Sequence, residues 1–145
     1  MSASALPRVG RWLVVIASIG HLIGYSLAIP DHIGDSGWPI HARFHVLQAL
    51  LWLIDLDLCA ALVAWLPLAA GRRWARWALL GNLFLAHGAY FIALAAMPTG
   101  GPPQGMASHL PLGLAAGLYA LGLALAWKPA SPGAATRTSD PSARS

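Results

Sequence analysis

His41-Ala-Arg-Phe-His45-Val-Leu-Gln48-Ala-Leu-Leu-Trp52-Leu-Ile-Asp55-Leu-Asp57-Leu-Cys59-Ala-Ala-Leu-Val-Ala-Trp65-Leu66 is the stretch whose reading decides the fold. Arg43 is its only basic residue, and the remaining polar groups are thinly spread through Leu, Ala, Trp, Val and Ile. Pro39 stands just before it, a position that suits the start of a helix, and Pro67 closes it. As a helix rising about 1.5 Å per residue, it is long enough to cross a hydrocarbon layer of about 30 Å. The stretch therefore predicts a transmembrane helix.

Three further runs of the same kind flank it. The predicted helices cover residues 12–29, 41–66, 74–97 and 109–127, with Pro30, Pro67 and Pro98 as stops and Pro129 just beyond the last. A cleaved signal peptide is the competing reading of the first run, but its apolar length exceeds the roughly 7–15 residues of a signal core. Composition agrees with this plan. Hydrophobic residues make up 57% of the 145-residue chain and charged residues 10%, against roughly 25% charged in a soluble domain. Mean hydropathy is +0.61. The expected fold is an all-α polytopic membrane protein, a bundle of four transmembrane helices over residues 1–129. Residues 130–145, rich in Ser, Pro, Ala and Thr, are expected to form a disordered cytoplasmic tail.

Charge predicts orientation. Arg8 and Arg11 precede the first run, Arg72, Arg73 and Arg76 lie between the second and third, and Lys128, Arg137 and Arg144 follow the fourth. Cytoplasmic loops collect Lys and Arg, so both termini and the Arg72–Arg76 loop are expected inside, in a bacterial inner or plasma membrane. Trp12, Trp38, Trp74, Trp77 and Trp127 fall near helix ends, where indoles anchor at the interface. Gly20-x-x-x-Gly24 and Gly113-x-x-x-Gly117 predict close-packing faces. The basic residues carry no interleaved aromatic pattern of the kind nucleic acid requires, so the expected surroundings are the lipid bilayer, with a second copy or another membrane protein as a partner. The single cysteine, Cys59, excludes an internal disulfide.

Ionisable residues at membrane depth are expensive, so they mark candidate sites. Counting from the helix ends places His21, Asp55 and His87 near the midplane. They are expected to meet in the interior, to share a proton, bind a ligand or metal, or simply set helix register. His41, His45, Gln48, Trp52 and Asp55 form one stripe along the second helix, at steps of four, three, four and three. Asp57 lies about 160° from His41 at about 100° per residue and needs another partner, such as Asn82 or a water. At the outer surface, His41 and His45, one turn apart, join Asp31, His32 and His109 as candidate ligands for a transition metal such as Zn, Fe or Cu. Tolerated polar groups at helix ends are the plain alternative. Arg43 is expected to snorkel to the surface or bind an anionic group.

The segment Asp31-His32 followed by Trp38-Pro39-Ile40-His41-Ala42-Arg43-Phe44-His45 resembles a family of small four-helix membrane proteins of bacteria and fungi. Their W-P-x-H-A-[RK]-F-H motif follows the first transmembrane helix, and their general plan is similar to that of DoxX-like proteins. The resemblance implies that Trp38, Pro39, His41, Arg43, Phe44 and His45 share a site or structural element. It implies no reaction. Two functions stay open: a metal-binding protein or membrane enzyme using the outer His cluster, and a non-enzymatic accessory subunit or proton-coupled carrier using the midplane His/Asp cluster.

Overall fold

The computed structural model describes residues 6–96 and 106–127, and no strand occurs among them. Among the described residues, four helices are long and apolar enough to cross a membrane. They are α1 (Leu6–Gly34), α2 (Ile40–Trp65), α3 (Arg73–Ala96) and α4 (Met106–Ala126). The expected boundaries of α2 agree to within a residue at each end. Asp35 to Pro39 joins α1 to α2, and its turn is held by the Gly37 N–H donating to Asp35 Oδ1 at 2.8 Å. At the other end of α2, Gly71 adopts φ 74°, a left-handed conformation that suits glycine because it has no Cβ. The expected tail, residues 130–145, lies outside the described residues.

α1 departs from its expected range at both ends. Pro30 does not stop it: the helix runs on to Gly34 with Pro30 inside, so the expected loop shrinks to five residues. A proline removes one helical N–H and crowds the preceding turn, but the residues on either side still make their own bonds, so a long helix can continue through it. The basic lead is partly helical as well, since α1 already begins at Leu6. Pro111 likewise lies within α4.

The core is built from small and branched residues: Val14 and Ala17 of α1, Ala60 and Ala64 of α2, Ala75 and Leu79 of α3, and Leu123 and Ala126 of α4 belong to one cluster. Side chains this small let helix backbones approach closely, and dispersion between them holds the bundle. The tightest approach is α1 on α4. A Cβ at Gly10 would fall 2.5 Å from the Gly122 carbonyl oxygen, and one at Gly122 would fall 2.7 Å from the Gly10 carbonyl oxygen. The expected packing glycines are used differently. A Cβ at Gly20, Gly24 or Gly117 would meet nothing within 4 Å, so these positions face outward. Exposed large apolar side chains such as Ile23, Leu27, Leu62 and Leu85 cover the outside of the bundle.

Candidate functional site

Among the described residues, the seven largest of the almost completely buried side chains are Tyr119, Leu79, His21, His87, Val14, Asp57 and Ser18. Five of the seven carry a polar or ionisable group. A bundle sealed only by packing would place Leu and Val there, so the deepest part of this one is organised around polar chemistry.

Three helices supply the centre. α2 presents Asp57, Ala60 and Ala64 as its buried face, a spacing of three and four that lines up on one side of a helix. His21 comes from α1 and donates from Nδ1–H to Asp57 Oδ2 at 2.9 Å. His87 comes from α3, with Nε2 at 3.8 Å from Asp57 Oδ1, beyond hydrogen-bond reach. The two imidazoles lie face near face, with ring centroids 4.1 Å apart. Tyr119 of α4 packs on His87 at 4.7 Å, and Tyr25 meets His21 edge-on at 5.0 Å.

A local irregularity helps place His87. Residues Leu83–His87 form a π turn, closed by the Gly88 N–H on the Leu83 carbonyl five residues back. Such a turn inserts one extra residue, a feature found often at functional sites. Ala86 and His87 are consecutive in sequence, yet both are buried. Asn82, directly before the turn, donates to the Leu56 carbonyl of α2 at 2.9 Å, tying α3 to α2 beside Asp57.

The interior meeting expected of His21, Asp55 and His87 thus holds for the two imidazoles and fails for the carboxylate. Asp57, not Asp55, meets them. Asp55 is exposed, and its Oδ1 lies 3.9 Å from the Cys59 thiol on the same helix. Asp57 does lie opposite the His41 stripe, as the angular reading requires, but the stripe faces out and Asp57 faces in. The physical reason lies in what shares each face. Asp57 continues into Ala60 and Ala64, which let α1 and α3 approach; Asp55 shares its face with Trp52, which is 66% exposed. Asn82, the suggested partner of Asp57, bonds backbone instead.

Among the described outer residues, His41, His45 and His109 do not gather into one centre. His41 and His45 stack within α2, with Nε2 atoms 3.0 Å apart, and His45 Nδ1 reaches Gln48 Oε1 at 3.3 Å. A consistent proton assignment has His41 donating to His45 and His45 donating to Gln48. His109 is engaged elsewhere, hydrogen-bonded through Nδ1 to the Tyr90 hydroxyl. Arg43 donates to the Ile33 carbonyl at 3.3 Å. It thereby caps the last turn of α1, where a cation meets unpaired carbonyls. The motif residue Arg43 is thus part of the α1–α2 corner. Asp31 and His32 fall within α1, and their side chains lie outside what is described.

Among the described residues, His21, Asp57 and His87 form the one group of three whose donor atoms suit a metal ion, all within 4.8 Å of one another. Two imidazoles and a carboxylate are a donor set for Zn or Fe, and imidazole also suits Cu. Ligands about 2.0–2.1 Å from a tetrahedral ion lie about 3.4 Å apart. The 2.9 and 3.8 Å contacts of Asp57 fall on either side of that spacing. Asp57 Oδ1, both His87 ring nitrogens, Ser18 Oγ and Tyr119 Oη are buried without a protein hydrogen-bond partner. Buried groups of this kind call for a partner such as an ion or water, so the residues fit a bound cation.

Among the described residues, fold and site together define an all-helical architecture of four membrane-length helices around a buried His–Asp–His centre. Searches against protein-family models, curated proteins and solved structures return no match.

Proposed function

We propose that this chain is an integral membrane protein whose buried His21–Asp57–His87 centre binds one transition-metal ion, Zn, Fe or Cu. The observation that carries the reading is the convergence of three donor side chains from three helices within 4.8 Å. Charge supports it. A lone carboxylate buried among apolar helices is costly, and a cation at Asp57 offsets that cost. Neutral imidazoles then complete the coordination, leaving room for a fourth ligand, as open Zn sites do. Tyr119, whose ring packs on His87 at 4.7 Å, and Ser18, one helical turn before His21, carry buried hydroxyls without a protein partner that are candidates to orient that ligand.

A second reading has its own support. The 2.9 Å contact between His21 and Asp57 is already a hydrogen bond, so the same centre serves as a proton-holding pair in an accessory subunit or carrier. Elemental analysis of the detergent-purified full chain separates the two. The metal reading expects about one ion per chain, lost in His21→Ala/His87→Ala and kept in His41→Ala/His45→Ala. Metal that follows the outer pair instead, or none after loading with each ion, sinks it in favour of the proton reading.

The resemblance of the Trp38–His45 segment to a family of small four-helix membrane proteins, DoxX-like in general plan, supports the same four-span plan. Within that plan, the Arg-rich end, carrying Arg8, Arg11, Arg72, Arg73 and Arg76, faces the cytoplasm by the positive-inside rule. Reporter fusions at Ala70 and Gly101 check this. Activity of a cytoplasmic reporter is expected at Ala70 only, and the reverse pattern would invert the topology.

A further inference from the structure

The Arg-rich end of the bundle holds a cavity of about 240 Å³, far from the His–Asp–His centre. Arg8 and Arg11 of α1 and Arg76 of α3 line it, over a floor that includes Leu68 and Ala126. Three guanidinium groups around one small cavity repel one another unless something negative lies between them.

The protein does not supply that charge among the described residues. The chain has five acidic residues. Asp31 and Asp35 belong to the opposite end, Asp55 and Asp57 lie well within α2, and Asp140 falls outside the described residues. Two of the three guanidinium groups are nevertheless held in place. Arg11 sits over the Trp65 ring at 5.8 Å, and Arg76 over the Trp127 ring at 5.5 Å. Such packing restrains a guanidinium through its face and leaves its edge donors free. Arg11 Nε and Arg76 Nε are in fact buried without a hydrogen-bond partner. A long surface arginine that merely snorkelled to water would have its donors hydrated.

We propose that this cavity is a phosphate-binding site, with Arg11 and Arg76 as the principal ligands and Arg8 at the rim. Fixed guanidinium forks match the tetrahedral oxygens of a phosphate, which accepts paired N–H donors. The volume fits a headgroup-sized anion and is below the range of about 300–1,000 Å³ typical of larger ligands. The phosphate comes from an anionic lipid headgroup or from a soluble phosphate, and the two share this recognition chemistry.

Thermal melting of the maltoside-solubilised full chain tests the site with three probes: inorganic phosphate, dihexanoyl-phosphatidylglycerol, and monohexanoylglycerol, which lacks phosphate. The expected result is saturable stabilisation by at least one phosphate probe and none by monohexanoylglycerol. Response to the lipid alone assigns a headgroup; response to inorganic phosphate assigns a site open to soluble anions. Arg11→Gln/Arg76→Gln is expected to weaken binding about ten- to hundredfold, as loss of charge-assisted hydrogen bonds does. Arg72→Gln/Arg73→Gln, which removes the same charge outside the cavity, is expected to leave it unchanged. If the Gln pair fails to fold, Arg11→Lys/Arg76→Lys keeps the charge and loses the planar fork, and is expected to bind several-fold more weakly. Absence of saturable binding, an equal response to monohexanoylglycerol, or equal losses in the two Gln pairs overturns the proposal. So does undiminished binding in the Lys pair.

Discussion

α2 carries two polar sites on opposite faces, and they differ in how they are made. The outer ladder of His41, His45 and Gln48 is assembled within one helix, from residues three and four apart. The inner centre takes Asp57 from the same helix but depends on His21 and His87 arriving from α1 and α3. His41 and His45 are exposed and Gln48 half-buried, while all three members of the centre are at most 2% exposed. Water or an interfacial headgroup can serve a ladder that loses a member. Nothing outside the bundle can serve the centre, so its members depend on one another.

That contrast can be broken by substitution, and the largest effect is expected at Asp57. Asp57→Ala leaves the His21 donor buried and unpaired, and should cost about 3–5 kcal/mol, the range for breaking a buried pair from one side. Reversible unfolding in detergent measures it. A loss below about 1 kcal/mol, within the range of an ordinary hydrogen bond, would mean the centre contributes no more than a surface contact.

Asp55→Ala, two residues away, should have the opposite sign or none. On the proposed transmembrane reading, Asp55 faces lipid near the middle of α2, where a charge costs about 2.5–3.5 kcal/mol, so its removal is expected to favour insertion. An insertion assay on the α2 segment checks the direction. The smallest effect is expected from His41→Ala/His45→Ala, within about 0.5 kcal/mol in unfolding, as for exposed substitutions without a buried partner. A large loss there would show that the ladder bears on the α1–α2 corner.

How much could be read beforehand differs between the elements and the centre. The four apolar runs, the start of α2 after Pro39 and the loop near Gly71 were legible because each depends on neighbours in the chain. His21 and His87 were legible because an imidazole within an apolar run is conspicuous wherever it points. The choice between Asp55 and Asp57 was not. Periodicity established that they face differently, but both lie in a run that is apolar all round, which leaves the inward face undefined. Asp57-x-x-Ala60-x-x-x-Ala64 was the available signal, a strip of small residues beneath a carboxylate. The π turn before Gly88 had no comparable signal. The Gly20 motif was visible but faces outward, and Gly113 faces Phe91 of α3 without a backbone approach; the closest approach occurs at Gly10 and Gly122 instead.

The sequence by itself therefore determined four membrane-length helices, one Arg-rich end and a short inventory of polar groups among apolar residues. These follow from hydrophobicity, helix rise and local charge, which need no knowledge of what lies across the bundle. The tertiary structure alone decided that Asp57 faces the two imidazoles, that Asp55 faces away, and that Arg11 and Arg76 converge on one cavity. Those outcomes depend on where four backbones cross. The crossing is set by small residues such as Gly10, Gly122, Ala60 and Ala64, whose lack of bulk has an effect only once another helix is pressed against them.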